Sequence, residues 1–511
     1  MKKCKLIFIL SFFSIVAFAQ DKQSTQEKPN ILFIFADDQT YNTLGALEDC
    51  PVKTPNLDRL AAKGARFSHT YNMGSYSPAV CVASRAMLVT GSYLWKAASY
   101  DAKRASAKGD PNAPSTERSY TITSQKPEAY WPQYLKQAGY ETYMAGKWHV
   151  KVNEAEVFDH TTNVRDGMPN QVRKRYQRTF KKGEEDTWSP YDTTLGGYWK
   201  DGKHWSEVLG DDGVAFLEQA KKSDNPFFMY LAFNAPHDPR QAPKRFVDMY
   251  PVEDIEVPEN FLPEYPYNEY IGSGRRLRDE RLAPFPRTVY SIKKNLQEYY
   301  AIITHMDEQI GRILDALEAS GKADNTYIFF TADHGLAVGE HGFTGKQNMY
   351  DCSMRVPLLV AGAGIEAGKV IDAPVYLQDV MATSLELAGI EKSKEVDYTS
   401  ILPLATGKTD KSVYDAIYGA YFGTQRMIRT DKYKMIMYPK ANKVRLYDII
   451  NDPKEMNDLA EAKSKNKKIL KELFKEFKEL QKQMGDVVDV TASFNNFLND
   501  VPAPPLKKKK K

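Results

Sequence analysis

Cysteine is scarce: the 511 residues contain four, and only Cys50, Cys81 and Cys352 lie beyond the amino-terminal apolar stretch. In an exported chain that odd number excludes complete intramolecular pairing. Either Cys50 and Cys352 bridge, with Cys81 otherwise engaged, or all three stay reduced. Charge of one sign is also lacking. Lys and Arg number 70 against 66 Asp and Glu, and the five terminal lysines supply more than the net +4. No segment interleaves basic and aromatic residues in a way that argues for nucleic acid. Long apolar runs are missing apart from Leu6 to Phe18, so no transmembrane segment is expected. That run follows Lys2, Lys3 and Lys5 and ends in Ala17-Phe18-Ala19, the pattern of a secretory signal peptide over residues 1–19. Cys4 precedes the apolar core and is not placed for lipid attachment. The mature chain is expected to be secreted or periplasmic.

The remainder is long enough for one large domain and a smaller one. Asn30–Ala36 is a continuous apolar run, as a strand buried on both faces would be. Thr54 and Pro55 open a helix that Gly64 stops. A helix over 128–138 precedes a strand over 141–145. A further strand spans 227–233, and a long helix over 291–320 leads into a strand over 326–331. This alternation predicts an α/β fold, a large mostly parallel sheet with helices on both faces.

In such a fold chemistry gathers at the carboxyl ends of strands. Asp37 and Asp38, Lys147 and His149, His237, and Asp333 and His334 all fall there. Any one of these could be turn chemistry, where Asp bonds to nearby backbone. Charged or imidazole groups at four strand ends argue for a site. Cys81 and Arg85 stand apart, in Ser77-Pro78-Ala79-Val80-Cys81-Val82-Ala83-Ser84-Arg85, ahead of an apolar run to Thr90-Gly91. A Cys just before a helix start would lie near unpaired amides and the positive end of the helix dipole. Only three residues separate Cys81 from Arg85, against the five of a cysteine-phosphatase loop, so a thiolate nucleophile of that kind is excluded.

The Cys81–Gly91 segment resembles the type I sulfatase signature, in which the Cys is oxidised to formylglycine. Gly146-Lys147-Trp148-His149, Pro236-His237-Asp238 and Asp333-His334-Gly335 are similar to further family motifs. Gly339-Glu340-His341-Gly342 through Lys346 resembles the branch containing iduronate, choline and bacterial polysaccharide sulfatases. The resemblance covers nearly the whole mature chain and implies an alkaline-phosphatase-like fold. It places Asp37, Asp38, Cys81, Asp333 and His334 on one metal. Hard carboxylate oxygens argue for calcium or magnesium over a soft metal, and the resemblance favours calcium. His334 stands where many sulfatases carry Asn or Gln. Cys81, Arg85, Lys147, His149, His237 and Lys346 fall on catalytic positions. The resemblance also implies a sulfatase-maturation enzyme as partner. Ala83 replaces the commonest Pro of the modification signal, a variant associated with radical-type maturation.

By the same resemblance residues 20–405 form the catalytic domain. Residues 406–490 form a smaller antiparallel sheet with a helix whose Ile469, Leu470, Leu473, Phe474, Phe477 and Leu480 share one apolar face. Residues 491–511 are expected as a disordered tail. Two polar stretches, roughly 150–203 and 241–290, interrupt the common core. Their Arg165, Arg173, Arg175, Tyr176, Arg178, Arg275, Arg276 and Arg278 suit a sulfated saccharide, or else form surface ion pairs. The expected activity is sulfate-ester hydrolysis on a sulfated carbohydrate. Alternatives are a choline or aryl sulfatase, a phosphate-ester hydrolase of the same superfamily, and a glycan-binding protein on a retired scaffold.

Overall fold

Strand β1 (Asn30–Asp37) is buried along its whole length and lies at the middle of the larger sheet in the computed structural model. The structure describes residues 28–47, 50–101, 126–165, 178, 180–184, 186, 188–194, 196–198 and 201–506. The expected leader, together with Arg173, Arg175 and Tyr176, lies outside the described residues.

The other strands are β2 (Ala65–Tyr71), β3 (Gly74–Ser75), β4 (Glu141–Lys147), β5 (His160–Arg165), β6 (Phe227–Pro236) and β7 (Thr326–Ala332). They continue with β8 (Arg355–Ala361), β9 (Lys369–Ile371), β10 (Val375–Tyr376), β11 (Ile417–Tyr421), β12 (Gln425–Arg429), β13 (Tyr433–Tyr438) and β14 (Lys443–Asp448). Among the described residues the larger sheet runs β10-β2-β8-β7-β1-β6-β4-β5, with β9 alongside β2. It is parallel from β7 to β5, whereas β8 is antiparallel to both neighbours.

Parity along the strands assigns the two faces. Phe33 and Tyr230 pack on Trp131 of the helix Trp131–Gln137. Leu231 points to the opposite face, where Gly213 lets the helix Trp205–Ala220 press on Ile313 of the helix Val289–Ser320. A β-carbon at Gly213 would come within 2.9 Å of Ile313.

The helix Pro55–Lys63 starts and stops where expected, but Thr54 does not cap it with its side chain. Its hydroxyl donates to Asp58 at 2.9 Å instead. The amides of Asn56 and Leu57 donate to the Asp307 carboxylate of the long helix, at 3.0 and 2.8 Å. A distant carboxylate does the capping, which no local signal in the sequence announces.

The smaller sheet runs β14-β13-β12-β11-β3. Its last member comes from the segment just before Cys81, and Gly74 makes this join possible. Gly74 has φ +95°, and a β-carbon there would lie 2.0 Å from the Ala420 carbonyl oxygen. The helix Lys463–Gln483 packs on this sheet through Leu470, Leu473 and Phe477, the last stacked on Tyr418. The expected tail is corrected in part: Thr491–Leu498 is a helix, because Phe494 and Phe497 are buried and Phe494 stacks on Phe474 at 3.9 Å. Cys50 and Cys352 are both free thiols.

Two strands of the smaller sheet contribute to a polar core. The hydroxyls of Tyr265, Tyr350, Tyr438 and Tyr447 form a chain, and buried Lys434 pairs with Asp351 and Glu455. His341 stacks on Tyr350 at 3.7 Å, and its Nε2 accepts from the Asn260 amide at 3.1 Å. Burial, then Lys434 and Arg445, pushes His341 down to about 3. An unfolded His binds its proton near pH 6.5, so between there and about 3 the unfolded chain holds more protons. Stability should therefore fall as pH drops through that window, by about 1.4 kcal/mol per unit. Urea unfolding of wild type and His341→Gln at pH 7 and pH 5 checks this. Wild type should lose about 2 kcal/mol more than the variant, and equal losses would contradict the assignment.

Candidate active site

Four strand ends, one helix start and the loop carrying Lys346 deliver the site. Asp37 closes β1 and Asp38 follows it in left-handed backbone, φ 72°. Lys147 closes β4, with His149 two residues on at φ 57°. His237 follows β6, and Asp333 and His334 follow β7. Non-glycine residues at positive φ are uncommon, and here two of them hold candidate site side chains against the sheet edge. Cys81 is the second residue of the helix Val80–Thr90, inside its first turn rather than ahead of it. Arg85, one turn on, shares its face.

All ten residues named from the sequence lie at this edge, and nine are buried, with His149 partly exposed. Arg85 Nε donates to Asp333 at 3.1 Å and its Nη1 to the Lys147 carbonyl at 2.7 Å. Lys147 Nζ donates to Asp37. Lys346 Nζ donates to both oxygens of Asp38, at 2.7 and 3.0 Å. His334 Nε2 lies 3.0 Å from Asp38, and Cys81 Sγ lies 3.4 Å from His149 Nδ1.

Burial of so many charges shifts their protonation. Burial, then the Asp333 charge, raises Asp37. Burial would raise Asp38 too, but His237, Lys346 and His334 outweigh it and hold the carboxyl well below its usual range. Burial opposes charge on His334, yet Asp333 and Asp38 carry it up to about 10. The Cys81 thiol, which burial alone would raise, is held well below its usual value by Lys147, His149 and Lys346. His149 is lowered, by burial first.

The carboxylates thus draw positive charge from every neighbour, and they also fit a hard divalent cation. Ligand atoms of Asp37, Cys81, Asp333 and His334 all lie within 4.8 Å of one another. Asp37 Oδ1 is buried with no hydrogen-bond partner. Carboxylate oxygens suit calcium or magnesium, and a bound cation would displace the His334 proton.

Several contacts were not legible in the sequence. His237 Nδ1 donates to the Asp238 backbone carbonyl at 2.9 Å, and its Nε2 lies 3.3 Å from Arg278. Arg278 is fixed in turn by Asp279, 2.6 Å away, whose carboxylate accepts from Gln347 at 2.7 Å. Gln347 also donates to the Pro78 carbonyl at 3.1 Å. These bonds tie the polar stretch 241–290 to the loop carrying Lys346 and to the approach to Cys81.

The arginines of the two polar stretches divide. Arg178 is buried between Glu298 and Asp186, Arg165 lies over Trp205, and Arg275 pairs with Glu264. Those three serve packing and ion pairing. Arg276 is exposed, and Arg278 reaches the site edge.

The sulfatase family model matches residues 29–390, and a second, described as N-sulphoglucosamine sulphohydrolase, C-terminal, matches residues 339–483. The chain is similar to N-acetylglucosamine-6-O-sulfatase of Bacteroides thetaiotaomicron, 27% identical over 561 positions, with 94% of this chain and 91% of that protein covered. It superposes on a protein solved in complex with its substrate D-glucosamine-2-N,6-O-disulfate with TM-score 0.67 and 23% identity, covering 91% of this chain and all of that one. Phosphonate monoester hydrolase from Silicibacter pomeroyi superposes with TM-score 0.71 and 20% identity, over 90% of this chain and 96% of that one. At such identities the two structures speak for the alkaline-phosphatase-like fold alone. The sulfatase match spans most of the chain, which belongs to the sulfatase family and is a sulfuric ester hydrolase.

Proposed function

We propose that the chain is an exported sulfatase acting on a sulfated polysaccharide or oligosaccharide through a formylglycine made from Cys81. The observation that carries this reading is the meeting of Cys81, Arg85, Lys147 and Lys346 with three buried carboxylates at one sheet edge. Residues 20–405 would form the catalytic unit and 406–490 the smaller one. A sulfatase-maturation enzyme would act on Cys81 before use.

Asp37, Asp38, Asp333 and His334, with the side chain at position 81, would hold one Ca²⁺, which supplies charge to polarise a sulfate oxygen and favour an ionised ligand. The formylglycine hydrate would supply one hydroxyl to attack sulfur as the alcohol leaves, and a second whose deprotonation expels the sulfate held on the first and restores the aldehyde. The remaining tasks fall to the chain's own groups. Lys147 and Lys346 bind sulfate oxygens and offset the charge that develops on them. Arg85 orients Asp333 and favours an anion at residue 81. His149, 3.4 Å from Cys81 Sγ, is placed to take a proton there. His237 and Lys346 flank the far side of Asp38 and are placed to give a proton to the departing alcohol oxygen.

The name of the Bacteroides relative supports an amino-sugar sulfate of glycosaminoglycan type. Arg278 beside His237 argues the same way, since a choline cation would meet a guanidinium there.

Conversion of Cys81 should make its tryptic peptide about 18 Da lighter than the thiol form. Cys81→Ala should lower kcat on a 4-nitrophenyl sulfate by ~10³-fold or more without moving the Tm. An active preparation carrying only intact thiol would overturn the mechanism. For substrate class, kcat/KM on a sulfated glucosamine should exceed that on choline sulfate by roughly 10²-fold. A preference for choline sulfate would overturn the saccharide assignment, and a preference for a phosphonate monoester would overturn the choice of sulfate.

A further inference from the structure

The helix Lys463–Gln483 carries more order than its packing needs. At about 100° per residue, its side chains divide into three sectors. Leu470, Leu473, Phe477 and Gln481 fill the buried one. Glu472, Glu476 and Glu479 share a narrow exposed sector. Lys467, Lys468, Lys471, Lys475, Lys478 and Lys482 occupy one arc of about 100° between the glutamates and the core.

A helix face that is merely solvated gains from mixing charges, because Glu and Lys four apart attract while like charges repel. Here the lysines from Lys468 onward succeed one another at three- and four-residue steps and, with Lys467, form a stripe about 22 Å long. Five of the six are exposed, and Lys478 is partly so. Among the described residues, Lys468 makes the one ion pair of the stripe, a loose 3.9 Å contact with Glu472 that leaves its own side chain 88% exposed. Lys478 donates to the neutral Gln481 at 2.7 Å. Such a row repels itself, and an anionic chain laid along it would relieve that repulsion.

We infer that this lysine stripe is a docking surface for a sulfated polysaccharide chain, separate from the site that cleaves the ester. Lysines about 5–6 Å apart along one line match a linear polyanion better than a compact anion. The inference rests on the saccharide reading above for the identity of that polyanion. Docking would raise the local concentration of ester groups around the enzyme without taking part in the chemistry.

The test uses the full chain, with the terminal lysines kept. One variant carries Lys471→Glu, Lys475→Glu, Lys478→Glu and Lys482→Glu, and a second carries Gln at the same four positions to keep helix propensity. The probes are immobilised heparin, phosphatidylserine vesicles and duplex DNA. Both variants should elute from heparin at NaCl lower by on the order of 0.1 M, with the Glu variant lower. On a sulfated polysaccharide kcat/KM should drop ~10-fold through KM, while 4-nitrophenyl sulfate turnover stays within about twofold. Unchanged heparin elution, or tighter binding of wild type to vesicles or DNA than to heparin, would overturn the inference. If wild type cleaves the aryl sulfate but no sulfated saccharide, the substrate reading fails, whereas heparin elution still decides whether the stripe binds.

Discussion

Three carboxylates, those of Asp37, Asp38 and Asp333, share the dry carboxyl edge of one sheet, and each must meet positive charge there. An unpaired buried charge costs several kcal/mol. The chain answers with Arg85, Lys147 and Lys346, all buried. Those partners come from a helix, a strand end and a long loop. The charge balance therefore fixes the relative positions of β1, β4, β7, the Val80–Thr90 helix and the loop that carries Lys346. A sulfate ester entering this edge is one more anion in a place already arranged for anions.

The rest of the architecture holds that edge rigid. Gly74 allows the strand before Cys81 to join the smaller sheet, so the Cys81 helix is anchored to both sheets. The segment around Asp279 and Glu280 is bonded to the loop around Thr344 and Gln347, which leaves Lys346 little freedom. The polar stretch 241–290 thus does more than decorate the surface. It forms one wall of the site and brings Arg278 to His237.

The larger elements were legible because their signals are local. The apolar run before Asp37 and Asp38 reads as a central strand, and Cys81 with Arg85 on one helical face reads as a nucleophile with its anion-binding partner. What the sequence could not give was pairing across distance. Asp307 caps a helix some 250 residues away, Arg178 neutralises Glu298, and Asp238 orients His237. The tail expected over 491–511 also contains a short helix, since the Phe494–Phe474 stack exists only after folding. Arginine counts in the polar stretches overstated the substrate signal, because Arg178 and Arg275 are committed to carboxylates.

The central claim is that the three carboxylates and His334 form a seat for one hard cation. Metal analysis by inductively coupled plasma mass spectrometry, on wild type and Asp333→Asn after exhaustive dialysis against metal-free buffer, addresses it directly. The account predicts one calcium per chain in wild type and a clear loss in the variant. Two transition-metal ions per wild-type chain, or equal calcium in both proteins, would contradict it.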